Sequence, residues 1–378
     1  MLLQAVSSAD SVTQPQATDS RELTMDSFRP SLFPNHPTQS TIYTALAVGA
    51  TLGILLPESR TLLAYIRLHF LSRSNLHLYR HPPTQARQSL DQQRSGGPQD
   101  SNPWAVITGA SDGIGYGFVQ ELASQGFNII LHGQNQAKID GLIEGLRKQW
   151  PDRSYESFIC DATNRASLAE RLDSLVKWLD DYSCNLTILV NNIGGNPYKA
   201  RSFTPLAQYS VDELTALVDF NVTFPVQITR ALLPTLQRNK PSLIINMASA
   251  TGTSNITIPY LATYSGGKAF NRQFSKSLRL EMIATDHEGV EVMSVVAAKV
   301  QSGGMRTETG WAVPSSRDFA RSTLHKVGCG RAEVTPWWGQ SLQLWSMGLL
   351  PDWMREKVLV DVGKQEKREM EEVWKKES

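Results

Sequence analysis

The sequence predicts an α/β protein built on a doubly wound parallel sheet, and two widely separated segments support this prediction. The first is a glycine-rich turn at residues 108–115, which follows the apolar run 105–108 and precedes a helical pattern. The second places Tyr264 and Lys268 on one face of a helix predicted over residues 263–280. An apolar strand that ends in glycines and continues as a helix is typical of the first βα unit of such a sheet.

The glycine-rich turn predicts a phosphate site. Gly109, Gly113 and Gly115 leave the backbone bare where the strand turns into a helix. A pyrophosphate can lie against the free N–H groups at the positive end of that helix. A glycine trio alone is more often only a turn, but these flanking elements indicate a dinucleotide site. The helix is predicted over residues 113–125, and Gly126 ends it.

The downstream pair predicts a proton donor and the group that tunes it. A phenol with a pKa of about 10 is a poor acid at neutral pH. An ammonium group nearby favours the phenolate and lowers that pKa. An isolated Tyr-x-x-x-Lys pair is more often an ordinary exposed helix pair. Downstream of a nucleotide site, Tyr264 and Lys268 instead indicate carbonyl reduction or its reverse.

These motifs resemble the short-chain dehydrogenase/reductase family over about residues 103–305. Three further segments and one residue carry the resemblance: 160–162 around Asp161, 189–194 with its Asn-Asn-Ile-Gly run, 244–249 ending in Ser249, and Asn221. The resemblance implies a Rossmann fold of about seven parallel strands with helices on both faces.

The same resemblance implies the chemistry. A nicotinamide cofactor delivers a hydride to a carbonyl carbon, Tyr264 protonates the oxygen and Ser249 hydrogen-bonds it. Lys268 lowers the pKa of Tyr264 and holds the nicotinamide ribose. Asn221 positions a water that supplies a new proton to Lys268. The residues implied to contact the cofactor are Gly109, Ser111, Asp112, Gly113, Ile114, Gln134, Asp161, Asn192, Tyr264, Lys268 and Val300.

Two positions depart from the family pattern. Ser249 precedes Tyr264 by two residues more than is usual, and Thr251 is the alternative hydroxyl. We prefer Ser249 because it ends the predicted strand and a slightly longer loop costs little free energy. Ala297 stands where the family usually has proline, which leaves the loop after strand six less constrained.

The choice between NAD and NADP depends on the end of strand two. An acid at this place binds the diol of the adenosine ribose. The segment 128–135 has no acid there, so a 2′-phosphate would not be repelled. Gln134 replaces the arginine that similar NADP enzymes often carry, and His132 and Gln134 are the candidate phosphate contacts. The sequence therefore favours NADP(H).

Composition excludes some functions. A net charge of +1 gives no electrostatic reason to expect a nucleic-acid partner. The cysteines Cys160, Cys184 and Cys329 have no metal-ligand spacing, so reduced thiols and no metal are expected.

The N-terminal region predicts a membrane attachment. Residues 1–40 are polar and predicted to be disordered, and the nineteen residues 38–56 carry no charge. A core or surface helix is the alternative for this stretch. Leu62, Leu63, Ile66 and Phe70 then share a helical face, so residues 41–72 are assigned to an anchor and interfacial helix, and 73–102 to a linker.

The charges predict an orientation. Residues 58–94 contain six arginines against two acids, and residues 1–40 two against four. The positive-inside rule therefore places the catalytic domain in the cytosol. Lys375 and Lys376, near the C-terminus, resemble a dilysine retrieval signal of the endoplasmic reticulum, although a charged helix can carry such a pair by chance.

Within the family, the anchor and the segments 74–79, 108–115 and 334–338 resemble the branch of microsomal very-long-chain 3-oxoacyl-CoA reductases and 17β-hydroxysteroid dehydrogenases. That branch implies a lipophilic ketone substrate and is compatible with a homodimer. Substrate choice is expected in residues 300–350, within a lid and tail over 306–378. The residues expected there are Gly303, Gly304 and Gly310 as hinges, and Trp311, Trp337, Trp338, Leu342, Leu344, Trp345, Leu349 and Leu350 as apolar surface.

Three functions stay open at this point. The favoured one is an NADP(H)-dependent reductase of a long-chain 3-oxoacyl or steroid-like ketone. The second is the same chemistry on a specialised secondary metabolite, which the departures at Gln134 and Ala297 allow. The third is a non-catalytic NADP-binding membrane protein, which the presence of all four catalytic residue types disfavours.

Overall fold

A computed structural model describes residues 61–72, 74–82, 102–303 and 307–377, with side chains described to Glu372. The predicted disordered N-terminus, the uncharged stretch 38–56 and most of the predicted linker lie outside these residues. So do Gly304 and the side chains of Lys375 and Lys376. No helix in the described ranges is long and apolar enough to span a membrane.

The described residues form the parallel sheet that the sequence predicts, with seven strands in the order β3-β2-β1-β4-β5-β6-β7. The strands are β1 Trp104–Ile107, β2 Asn128–Gly133, β3 Tyr155–Ile159, β4 Leu186–Asn191, β5 Ser242–Ser249, β6 Val290–Ala297 and β7 Glu333–Val334. The order reverses between β1 and β4, so the crossovers leave this point in opposite directions. A crevice for a nucleotide forms at such a switch point, beyond the carboxyl ends of the strands.

Helices cover both faces of the sheet. They are α1 Gly113–Ser124, α2 Gln136–Gln149, α3 Arg165–Asp181, α4 Val211–Val218, α5 Phe224–Arg238, α6 Ala262–Ala284, α7 Ser316–Leu324, α8 Trp338–Gly348 and α9 Asp352–Glu377. Helices α1, α2 and α7 bury apolar side chains against one face, and α3, α5 and α6 against the other. Strands β1, β2, β4 and β5 are buried along their whole length, because a sheet covered on both faces needs apolar runs rather than alternation.

The segment before β1 is part of this folded body. Residues 76–79 form a 3-10 turn whose Tyr79 is buried, and Thr187 donates a hydrogen bond to the Tyr79 carbonyl oxygen at 2.9 Å. Ser74 donates to the Leu324 carbonyl oxygen at 2.8 Å. The beginning of the predicted linker therefore packs against the domain instead of separating from it.

The predicted interfacial helix is also attached to the domain. Tyr65 donates a hydrogen bond to the Trp338 carbonyl oxygen at 3.0 Å, and the buried Lys326 ammonium donates to the Leu68 carbonyl oxygen at 2.6 Å. Leu62 and Phe70 are 58% and 64% exposed. One side of this helix is thus fixed to the protein, and apolar side chains remain on its surface.

The packing of α1 on α7 requires a glycine. A Cβ on Gly117 would overlap the carbonyl oxygen of Ser316, whereas a Cβ on Gly145, on the exposed side of α2, would meet no atom within 4 Å. We expect Gly117→Ala to lower the free energy of unfolding by about 1–3 kcal/mol, because the helices must separate. Gly145→Ala should raise it by about 0.5–1 kcal/mol, because the helix loses a flexible residue. Urea denaturation of the two variants measures both changes, and equal effects would contradict this packing.

Candidate active site

The turn between β1 and α1 is shaped by glycine. Gly109 and Gly113 have φ angles of +62° and +56°, a region that side chains disfavour. A Cβ on Gly115 would overlap the Gly109 carbonyl oxygen. The Asp112 side chain accepts a hydrogen bond from the Gly113 N–H at 2.6 Å and caps the helix. The turn therefore brings bare backbone to the positive end of α1, where phosphate oxygens bind well.

Asn192 ties the switch point together. Its side-chain N–H groups donate to the carbonyl oxygens of Thr108 and Gly109 at 3.0 and 3.3 Å. The Thr108 hydroxyl in turn accepts from the backbone N–H groups of Asn192 and Ile193 at 2.9 and 3.0 Å. The amide of Asn192 thus holds the ends of β1 and β4 in register beside the nucleotide turn.

The polar residues after β2 and β3 meet each other. Gln134 donates to an Asp161 carboxylate oxygen at 3.2 Å, and that oxygen also accepts from the Thr163 N–H and hydroxyl. Both Gln134 and Asp161 are exposed at the edge of the crevice. The residues that directly follow β2 therefore present an amide, Gln134, and no acid.

His132 does not fit the role expected of it. The imidazole is fully buried and stacks on Phe224, with the ring centroids 4.8 Å apart. Its Nδ1 accepts a hydrogen bond from the Gly109 N–H at 3.2 Å, and its Nε2 lies 3.1 Å from the Cys160 carbonyl oxygen. Burial lowers the pKa of His132 to about 4. The expectation that His132 contacts a 2′-phosphate is wrong, because the neutral ring is completely buried. It instead supports the glycine turn through its hydrogen bond with the Gly109 N–H.

The tyrosine, the serine and the lysine meet where β5 ends. Tyr264 and Lys268 are one turn apart on α6, with the Lys268 Nζ 5.8 Å from the Tyr264 ring centroid. The Ser249 side chain, at the last residue of β5, lies close enough to the phenol to act on its pKa. Thr251, the alternative hydroxyl, lies behind it with 3.1 Å between the two side-chain oxygens. Of the two hydroxyls, Ser249 is the one that contacts the phenol.

The ionisation of this group differs from the expectation. Burial raises the pKa of Tyr264, and the hydrogen bond from Ser249 opposes this rise. Burial also lowers the pKa of Lys268 to about 8. The ammonium donates to the Met247 carbonyl oxygen at 3.1 Å. The expected lowering of the tyrosine pKa is therefore not found, because desolvation of the phenolate raises this pKa.

Asn221 lies within a π-helical turn, Asp219–Thr223, that joins α4 to α5. Its side chain accepts from the Gly195 N–H at 3.0 Å and donates to the carbonyl oxygens of Gly195 and Leu217 at 2.7 and 2.9 Å. A Cβ on Gly194 would touch the Lys268 Nζ and stand 3.1 Å from the Asn221 Oδ1. Only a glycine therefore separates this amide from the lysine.

The sequence reasoning did not identify Arg272. Its guanidinium binds both carboxylate oxygens of Glu333 at 2.7 and 2.8 Å and donates to the Gly252 carbonyl oxygen at 2.7 Å. Gly252 ends the turn that follows Ser249 and packs directly on the backbone of α6. Arg272 thus holds this turn against the helix that carries Tyr264. Its position four residues after Lys268, on the same face, was the available signal.

An apolar cavity of about 380 Å³ opens beside Tyr264. Its lining residues are Gly195, Asn196, Ser202, Phe203, Thr204, Pro205, Leu206, Tyr209, Leu217, Pro259, Tyr260, Leu261, Ala262, Thr263 and Tyr264. None of the described residues between 300 and 350 is among them. The expectation that this region decides substrate choice stays a prediction, and Trp311 and Trp345 are exposed.

A second, more open cavity of about 620 Å³ adjoins the nucleotide turn. Asp112 and Gly113 line one side of it, and Gln301 and Ser302, which follow β6, line another. The side chain of Val300 is buried in the core on this side of the sheet. The glycine turn and this opening fit a dinucleotide, since they offer backbone N–H groups and room in one place. Ser111 and Ile114 lie half-buried on the same turn.

The buried ammonium of Lys268 makes a testable contribution to stability. Its pKa is about 8 in the folded protein against an ordinary value of 10.5. Below pH 8, Lys268 is protonated in both the folded and the unfolded protein, and burial of its charge costs on the order of 3 kcal/mol of folding free energy. Between pH 8 and 10.5 the unfolded state binds more protons, so stability rises with pH. We expect Lys268→Met to be at least as stable as the wild type at pH 7 and to lose this lead as the pH rises.

Urea denaturation across this pH range measures the difference. The exposed Lys148, replaced by methionine, is the matched control and should track the wild type at every pH. If the difference in the free energy of unfolding between wild type and Lys268→Met were the same at every pH, burial of the Lys268 ammonium would not destabilise the folded protein.

Comparisons with known proteins agree with this geometry. A sequence profile for short chain dehydrogenases matches residues 103–312. A very-long-chain 3-oxoacyl-CoA reductase of Neurospora crassa is 37% identical over 250 residues, which are 64% of this chain and 71% of that protein. A protein of the same name from Podospora anserina is 33% identical over 273 residues, covering 68% and 76% of the two chains.

Solved structures show the same fold. A short-chain dehydrogenase from Sphingobium yanoikuyae in complex with NADPH has a TM-score of 0.51 at 22% identity, covering 66% of this chain and 97% of that one. A 7β-hydroxysteroid dehydrogenase has a TM-score of 0.58 at 16% identity, covering 70% and 97%. The chain therefore belongs to the short-chain dehydrogenase family, in the branch of the very-long-chain 3-oxoacyl-CoA reductases, and is an oxidoreductase that acts on CH–OH donors.

Proposed function

We propose that this protein reduces the ketone of a long-chain 3-oxoacyl-CoA to a secondary alcohol with NADPH. The observation that carries the proposal is the position of the Tyr264 phenol. It interacts with the Ser249 side chain and also lines an apolar cavity. A ketone oxygen between these hydroxyls would leave its alkyl chain in apolar surroundings, as a fatty acyl substrate requires. Two relatives that are named for this reaction support the substrate class.

The residues have distinct roles in this proposal. The cofactor, when bound, supplies the hydride. Tyr264 gives its proton to the carbonyl oxygen, and Ser249 donates a hydrogen bond to the same oxygen as negative charge develops. The raised pKa of Tyr264 keeps the phenol protonated, which suits a proton donor in the direction of reduction. Lys268 holds the ribose of the cofactor, and Asn221 fixes the segment around Gly194 that borders Lys268.

The preference for NADPH rests on the residues after β2. An NAD-specific site uses an acid there to bind the ribose diol. Gln134 occupies this edge and bonds to Asp161, so a 2′-phosphate would meet an amide rather than a second carboxylate. Because His132 is buried away from the cofactor, Gln134 is the residue that we expect to discriminate between NADPH and NADH.

A steroid-like ketone or a specialised secondary metabolite would use the same machinery. The apolar cavity accommodates either, so these substrates are alternatives in the assay rather than separate mechanisms. A non-catalytic NADP-binding protein is the remaining alternative. It is disfavoured because Ser249 acts on the Tyr264 phenol and the Lys268 ammonium donates to the carbonyl oxygen of Met247 in β5, so the three residues lie together at the end of this strand.

Activity of the full chain in detergent tests the proposal. We expect oxidation of NADPH with a long-chain 3-oxoacyl-CoA, and much slower oxidation of NADH. Tyr264→Phe should lower kcat by about 100-fold or more with little change in NADPH affinity, because only the proton donor is lost. Ser249→Ala should lower kcat strongly and Thr251→Ala weakly. Turnover of a 17-ketosteroid alone would reassign the substrate, and NADPH binding without any turnover would favour the non-catalytic alternative.

We also propose that the protein is attached to the endoplasmic reticulum membrane with its catalytic domain in the cytosol. The uncharged stretch 38–56 and the arginines after it support this orientation. On the folded domain, Leu63 and Leu71 are 65% and 69% exposed, and Trp345 projects from α8 at 44% exposure. Tryptophan and leucine on such a surface are typical of contact with lipid at the membrane interface.

Quenching by brominated lipids tests this attachment. In vesicles whose acyl chains carry bromine, part of the tryptophan fluorescence of the full chain should be quenched. Trp345→Phe should remove much of the quenched part, because this side chain faces the lipid. Trp104→Phe, which alters a buried residue of β1, is the matched control and should leave the quenched part unchanged. Equal quenching in both variants would contradict contact between α8 and lipid.

A further inference from the structure

The last helix of the chain packs on one wall of the cavity beside Tyr264. Gly363, in the middle of α9, is buried. A Cβ at this position would stand 2.5 Å from the Pro259 Cγ, 2.6 Å from its Cδ and 3.0 Å from the Ile258 Cγ2. The backbone of α9 is therefore in direct contact with the ring of Pro259, and Pro259 lines the cavity.

The next turn of α9 contacts a second wall residue. The Lys367 Nζ lies 5.7 Å from the centroid of the Tyr260 ring, a cation–π geometry. Tyr260 has a φ angle of +71°, which is strained for a residue that is not glycine. Tyr260 also lines the cavity, four residues before Tyr264 in the sequence. A strained wall residue keeps its conformation only when its neighbours hold it, and Lys367 is such a neighbour.

The helix is itself fixed to the sheet. The Lys299 Nζ, just after β6, pairs with a Glu366 carboxylate oxygen at 3.0 Å. Leu359, one turn before Gly363, is buried. Helix α9 thus has an apolar contact, a close backbone contact and an ion pair along three consecutive turns of one face. It cannot move outward without breaking all three.

From these contacts we infer that α9 forms the outer support of the acyl cavity and that Gly363 sets the width of that cavity. The inference rests on the proposed function, because it assigns a substrate feature to the same site. Any side chain at position 363 must displace Pro259, and the space available to Pro259 on the far side is the cavity. A larger residue at 363 therefore narrows the path of a long acyl chain while leaving the ketone site at Tyr264 unchanged.

The test compares two chain lengths in the full-length enzyme. Gly363→Leu should lower kcat/KM for a long substrate, 3-oxostearoyl-CoA, by about tenfold or more, through KM. With acetoacetyl-CoA, whose acyl part is short, kcat/KM and the NADPH dissociation constant should stay within about twofold of wild type. Val362→Leu is the matched control. It adds bulk to the neighbouring residue, which is 37% exposed, and should leave kcat/KM unchanged for both the long and the short substrate.

A second variant guards against misfolding of Gly363→Leu. Lys367→Met removes the cation over Tyr260 without adding bulk inside α9 and should also raise KM for the long substrate several-fold at unchanged kcat for the short one. Unchanged long-to-short ratios in folded, NADPH-binding Gly363→Leu would overturn the inference. So would an equal loss with both substrates, which indicates a general structural defect.

Binding of stearoyl-CoA, an unreactive ligand, separates this inference from the proposed function. If the wild type reduces neither thioester but binds stearoyl-CoA, and Gly363→Leu weakens that binding about tenfold, the proposed function is wrong and the cavity wall stands. If the wild type reduces both thioesters and Gly363→Leu binds stearoyl-CoA as tightly as the wild type, the proposed function is correct and the role of Gly363 in the cavity is overturned. If the wild type neither reduces nor binds these ligands, both are overturned.

Discussion

The site depends on the close approach of α6 to the end of β5, and glycines make that approach possible. A Cβ on Gly252 would stand 2.8 Å from the Lys268 carbonyl carbon, and one on Gly194 would touch the Lys268 Nζ. One on Gly267 would stand 3.1 Å from the Asn221 Cβ. The buried lysine therefore occupies space that only glycine neighbours leave open. With the helix held this close, Tyr264 reaches Ser249, and the lysine loses enough hydration to lower its pKa to about 8.

A buried chain of polar side chains extends this constraint through the centre of the molecule. The Asn191 side chain donates to Thr229 and Asn246 at 2.7 Å each, and Asn246 donates to Ser275 at 2.9 Å. On α6, Asn271 then donates to the Asn221 carbonyl oxygen at 3.1 Å. Buried polar groups of this kind demand partners in fixed directions, whereas apolar packing tolerates small slides. They therefore fix α6 against β4 and β5 at the level of the catalytic residues.

The parts of this structure that sequence could predict are those encoded by local patterns. The glycine spacing at 109–115 and the Tyr264–Lys268 pair depend on residues a few positions apart, and both segments have the predicted secondary structure. The lining of the cavity beside Tyr264 was not predicted, because its support depends on distant residues. Pro259 in its wall, for example, contacts Gly363, about 100 positions later. No periodicity in the sequence reports such a contact.

The pKa of Tyr264 and the role of His132 were predicted wrongly for a related reason. The sequence shows which charges are near one another along a helix but not how much water each group keeps. Lys268 was expected to lower the pKa of Tyr264 through its charge, but burial of the phenol raises that pKa. His132 failed in the same way, because its place at the end of β2 suggested a ligand contact while its complete burial makes it a support for Gly109.

The two departures from the family pattern have a common physical explanation. The longer loop between Ser249 and Tyr264 contains the corner at Pro259 and Tyr260, and this corner needs an external support because its backbone is strained. Ala297 leaves the loop after β6 without the restraint of a proline, and Lys299 in that loop is instead held by Glu366 of α9. Both departures therefore lie where the C-terminal helix packs. The match to the family profile ends at residue 312, before α9 begins, so both departures contact a helix outside the matched residues. A single C-terminal helix thus supports the longer loop and holds the loop that lacks the proline, while the sheet strands up to β6 and the glycine turn lie within the residues that the family profile matches.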